Sequence, residues 1–74
     1  NPAISDIYIE FEKELFEEGK IVMKLIDITG KQLVSKQANH LWESLDILKL
    51  ANGIYLLTIE RDGIVIDKQK IIKE

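Results

Sequence analysis

Glu10 and Glu12 stand two residues apart, with Glu14, Glu17 and Glu18 close behind. Carboxylates in such a run could hold a cation or act as an acid/base pair. No pattern around them suggests an enclosing cleft, and a solvated strand face followed by an acidic loop accounts for them better. His40 is the only histidine and lies in the polar link Ala38-Asn39-His40. No Ser or Cys arrangement is legible beside it, so it reads as a surface histidine and not as a general base. Trp42 alternates onto the face of Ser44 and Asp46, where it reads as a large residue covering a sheet, with a sugar-stacking platform as the alternative. Asp27 and Asp46 stand beside turns, where Asp favours local backbone hydrogen bonds. Gly19, Gly30, Gly53 and Gly63 are dispersed and make no phosphate-binding loop. The chain thus offers no catalytic, cofactor-binding or metal-binding set, and its function is expected to lie in a surface that the fold presents.

The elements that form that surface are short. With 74 residues the chain is at most one small domain, and a domain of that size buries only about 60% of the surface its unfolded chain exposes. An apolar content of 46% is enough for a core. A net charge of −3 argues against nucleic acid as a partner, which needs a basic footprint. There is no cysteine, hence neither a disulfide framework nor a thiolate zinc site. The longest strongly apolar stretch, Ile54 to Ile59, is far short of the roughly 20 residues that span a bilayer. The abrupt start at Asn1-Pro2 suggests a piece of something longer.

Alternation with period two is the main local signal. Ile7, Ile9 and Phe11 face one way, against Tyr8, Glu10 and Glu12. Lys13 to Lys20 is polar and reaches Gly19, so a loop or one helical turn is expected. Ile21, Met23 and Leu25 share a face in the next strand; Val22, Lys24, Ile26 and Ile28 form the other, which suggests cover on both sides near its end. Gly30 turns the chain into Gln32 to Gln37. Leu41, Leu45 and Ile47 then alternate against Trp42, Ser44 and Asp46, with Glu43 breaking the apolar face. Tyr55, Leu57 and Ile59 mark a strand that ends at Arg61-Asp62-Gly63, and Asp-Gly suits the tight turns that match strand twist. Ile64 to Lys73 returns. About seven short strands with closely spaced turns predict an all-β fold, a small immunoglobulin-like antiparallel β-sandwich.

Tyr55 has a place in that architecture. In immunoglobulin-like sandwiches a Tyr near the start of a late strand bonds back to upstream backbone where the chain changes sheet. Leu50 is expected to plug the core, Gly53 to permit the bend and Tyr55 to bury its ring and satisfy its hydroxyl. Charge is unevenly placed: Asp6 to Glu18 is acidic, whereas Lys68, Lys70 and Lys73 make the end basic. Either the first and last strands are neighbours whose charges pair weakly, or the tail is a strand presented to a partner.

Taken in order, Asn1-Pro2, the strand "IYIEF", "LIDITGK" at 25–31, "LDILKLANGIYLLTI" at 45–59 and the terminal "DKQKIIKE" resemble the C-terminal sorting domain of the type IX (Por) secretion system. Each piece is weak alone; the ordered set spans the chain. The resemblance implies one domain over residues 1–74, not itself an enzyme, at the C-terminus of a larger cargo. That cargo would reach the periplasm by a Sec signal, then be directed through the outer-membrane translocon with its shuttle components, to be secreted or held at the cell surface. A sortase-like peptidase would remove the domain, cutting near or before Asn1. The positions carried over are Asp27, Gly30, Gly53, Tyr55, Lys70, Ile71, Ile72 and Lys73. Asn52 departs from the small residue or proline often found there, though Asn also suits a turn. The alternative is an accessory carbohydrate-binding or adhesion module that uses Trp42 and Tyr8.

Overall fold

The computed structural model describes residues 2–3 and 5–74, for Pro2 and Ala3 the backbone alone; Asn1, the first residue of the resemblance, lies outside them. Seven strands and one short helix follow in the order β1 (Pro2–Ala3), β2 (Asp6–Glu10), α1 (Lys13–Glu17), β3 (Ile21–Asp27), β4 (Gln32–Gln37), β5 (Trp42–Asp46), β6 (Gly53–Arg61) and β7 (Ile64–Lys73). They form a five-stranded sheet in the order β1-β7-β6-β3-β4 and a two-stranded sheet, β2-β5. The all-β sandwich is as the alternation predicts. Pairing is antiparallel except where β1 runs parallel to β7, Pro2 beside Ile72 and Ala3 beside Lys73.

The core follows from the alternation. Ile21, Met23 and Leu25 of β3 and Tyr55, Leu57 and Ile59 of β6 face inward from the large sheet, and Ile7 and Leu45 meet them from the small one. Met23 and Leu25 are fully buried. Each such side chain contributes about 1.5–3 kcal/mol relative to exposure. Leu50 is half-buried against this core. Phe11 is buried and meets half-buried Phe16 of α1 edge-on, with ring centroids 5.7 Å apart, which docks the helical turn over one end.

Two expectations about faces need correcting. The second face of β3 is only partly covered near its end: Ile26 is half-buried, whereas Ile28 lies beyond the last paired residue and is exposed. Trp42 does not cover a sheet: it projects from the outer face of the small sheet, 64% exposed.

The turns are built as their residues require. Asp62 and Gly63 both take positive φ, 51° and 85°, in a two-residue β6–β7 connection, the pair of left-handed residues that a type I′ hairpin needs. Asp62 also bridges to β3: its amide donates to the Lys20 carbonyl at 3.1 Å and its carboxylate accepts from the Lys20 amide at 3.1 Å. Gly19 leaves space for that carboxylate; a Cβ there would lie 2.8 Å from Asp62 Cγ.

Candidate functional site

The eight residues marked by the resemblance gather at one end of the large sheet. Asp27 of β3 pairs with Tyr55 of β6, and Tyr55 pairs with Ile71 of β7, so three of them form one row across three strands. Leu56 pairs with Lys70, Ile54 with Ile72 and Gly53 with Lys73, all within the same end. Gly30 sits in the adjoining β3–β4 turn.

Each local structure has a physical cause. The Asp27 carboxylate accepts from the Thr29 hydroxyl at 2.6 Å, the Thr29 amide at 2.9 Å and the Lys31 amide at 3.0 Å. Gly30 completes the turn at φ 91°, donating its amide to the Asp27 carbonyl at 3.0 Å. The Thr29 hydroxyl, helped by the amides of Lys31 and Thr29, holds the Asp27 carboxyl below its ordinary value of 3.8. At the other turn the Tyr55 ring is buried and its hydroxyl donates to the Ala51 carbonyl at 2.5 Å, four residues upstream. This is the tyrosine corner expected of the sandwich. Gly53, with φ 153°, opens the strand directly after that bend.

The tail divides by strand alternation. Ile71 and Lys73 face inward and are buried; Lys70 and Ile72 face outward. A uniformly presented basic tail is therefore not what forms: Lys73 is only 7% exposed, its ammonium donating to the Glu74 carbonyl at 3.1 Å. Nor do the acidic and basic ends pair. β7 neighbours β1, while Asp6–Glu10 belongs to the other sheet, and among the described residues the acidic stretch makes one ion pair, Glu18 to Arg61 at 3.1 Å. Outward-facing Ile54, Leu56 and Lys70, with Asp27, Ile28 and Tyr55, line a shallow depression of about 250 Å³. A second hollow, about 310 Å³, opens between the sheets and is lined mainly by Ile9, Phe11, Leu15, Leu57, Ile59 and Ile66.

The residues first considered for chemistry are scattered. Glu10 pairs across the small sheet with Trp42, Glu12 stands at the start of α1, and His40 is exposed in its link. No group of three or more His, Cys, Asp or Glu side chains placed to hold a metal ion occurs among the described residues. Glu43, which breaks the apolar pattern of β5, has a structural task instead. It points into the core side and is buried, and it accepts from the amides of Asn39 at 2.7 Å and His40 at 3.0 Å. Lys36 lies 3.4 Å away and His40 Nδ1 3.5 Å away. The Asn39 amide foremost, then the His40 amide and the Lys36 ammonium, holds this carboxyl below its ordinary 4.5 in spite of its burial.

The arrangement defines a small β-sandwich whose marked residues build and frame a surface at one sheet end. The chain belongs to the family of secretion system C-terminal sorting domains, whose model matches residues 1–74. This is the sorting-signal family of type IX secretion, not a family of enzymes, and membership implies a protein exported to the cell surface or secreted. Neither a curated protein nor a solved structure matches the chain.

Proposed function

We propose that residues 1–74 act as a single C-terminal domain that directs a cargo fused to its amino end through the type IX outer-membrane translocon, and that a sortase-like peptidase removes it after export. The observation that carries this reading is the family match along residues 1–74. The geometry supports a division of labour among the eight residues. Asp27, Gly30, Gly53 and Tyr55 fix the turn and corner, and inward-facing Ile71 and Lys73 anchor the last strand. Lys70 and Ile72 then meet the translocon or its shuttle components from the outer face, beside Ile54 and Leu56. The contact is an exposed sheet face with an aliphatic centre and a cationic rim, which suits an apolar partner surface edged with carboxylates.

A periplasmic reporter fused ahead of residues 1–74, expressed in a host that has the machinery, tests this directly. The reporter is expected outside the cell or on its surface, and retention in the periplasm refutes the reading. Lys70→Glu with Ile72→Ser should trap a folded fusion in the periplasm, whereas Ile71→Ser should lower the stability of the domain itself.

A further inference from the structure

The outer face of the small sheet carries Asp6, Tyr8 and Glu10 from β2, paired with Asp46, Ser44 and Trp42 from β5. Tyr8 and Trp42 are diagonal neighbours on this face, both largely exposed, and they line a shallow hollow with Ser44 and Glu43. Asp6 stands directly opposite Asp46, and like charges in that position oppose strand pairing. The Ser5 hydroxyl donates to Asp6 and the Leu48 amide to Asp46, but neither carboxylate takes part in an ion pair among the described residues. An ammonium docked between them would relieve the repulsion, and the Tyr8 ring on the next pair along offers it a π face, while Trp42 stands farther along the same face beside Glu10.

The opposite side of the sandwich is its complement. The outer face of the large sheet exposes Ile54, Leu56 and Ile72, with Lys68 and Lys70 on the same face and in no ion pair among the described residues. One molecule therefore carries an aromatic and acidic face on one side and an aliphatic and basic face on the other.

We propose that the outer face of the small sheet is a docking site for a second copy of this chain, which seats the outer face of its large sheet there. Lys68 and Lys70 of the incoming copy meet Asp6, Glu10 and Asp46, while its Ile54, Leu56 and Ile72 cover Tyr8 and Trp42. Because the two faces differ, the contact is heterologous and runs head to tail, each added copy leaving one face of each kind free. It covers Lys70 and Ile72, so a chain stacked this way hides the surface assigned above to the export machinery. The association itself does not rest on the sorting role.

Sedimentation of the 74-residue chain over a concentration series tests the proposal. The mean mass should rise with concentration at low salt, and the dissociation constant should weaken by roughly tenfold or more between about 0.02 and 0.5 M salt. Trp42→Ala and Lys70→Glu, both at exposed positions, should each abolish growth beyond the monomer while the circular dichroism stays native. Mixed together, the two variants should form one-to-one dimers and nothing larger, since the first keeps its basic face and the second its aromatic face. Export of a Trp42→Ala reporter fusion should be unimpaired, which separates this contact from the sorting function. A wild-type chain that stays monomeric to about 1 mM overturns the proposal, as does association strengthened by salt or a mixture that fails to dimerise. So does a monomeric chain that binds a soluble glycan through Trp42.

Discussion

Replacing Glu43 with Gln keeps the shape and a carbonyl acceptor but removes a charge held on the core side of β5. In the native chain that carboxylate accepts two backbone amides, at 2.7 and 3.0 Å, with Lys36 3.4 Å away. A hydrogen bond to a charged acceptor contributes about 1.5–3 kcal/mol and a neutral one about 1. Gln can still accept, and water reaches the exposed link at Asn39 and His40, so the change should cost about 1.5 kcal/mol. For a domain of this size that is a fall of roughly 6–12 °C in Tm, read by thermal circular dichroism at pH 7. The acid limb is a second readout. Hydrogen bonding holds the folded carboxyl below its ordinary 4.5, so the unfolded chain takes up the proton first. The stabilisation is then complete above the unfolded value and lost as pH falls through the folded one. Wild type should lose stability on acidification below about pH 4.5 faster than Glu43→Gln, so that the two curves converge. Equal melting at pH 7, or parallel curves in acid, refutes the role assigned to Glu43.

Tyr55→Phe removes the hydroxyl bonded to Ala51 without opening a cavity, and should cost about 1 kcal/mol, or about 4–8 °C in Tm by calorimetry. Gly19→Ala should push the Asp62 carboxylate away from the Lys20 amide and lower stability by about 1 kcal/mol in urea denaturation, with faster exchange of the Lys20 amide. In a carboxyl NMR titration Asp27 should protonate below its ordinary 3.8, so its turn is intact above that value and loosens as pH falls further. Asp27→Ala should accordingly quicken amide exchange at Thr29 and Lys31.

What could be read from the residues was local. Period-two alternation locates β2, β3, β5 and β6, because each has one face buried and one wet. Asp62-Gly63 announces its hairpin, Asp27 and Gly30 their turn, and Tyr55 its corner, because each acts on backbone within four residues of itself. The remainder depends on how links and strands are placed against one another. Glu43 looks like a fault in an apolar face, since its ligands are amides of a link that alternation cannot place. Trp42 is read as covering a sheet because its type favours burial, yet the small sheet has only two strands and, among the described residues, its outer face stays open. Lys73 reads as a presented charge, but strand parity turns it inward beside Gly53. The insertion of β3 between β4 and β6, and the parallel contact of β1 with β7, are choices of topology that no single strand announces.

The central position of β6 in the large sheet governs when this chain can fold. β3 waits for a partner that begins about thirty residues later, and β1 for one at the far end of the polypeptide. Only the β3–β4 and β6–β7 pairings close over short loops, since β2 also waits for β5 about thirty residues on, and a two-stranded hairpin alone is marginal in water. A polypeptide emerging amino end first thus lacks its hydrophobic interior until residues 53–73 have appeared. Folding is consequently a late, nearly all-or-none event, on the slow timescale of topologies dominated by non-local pairing.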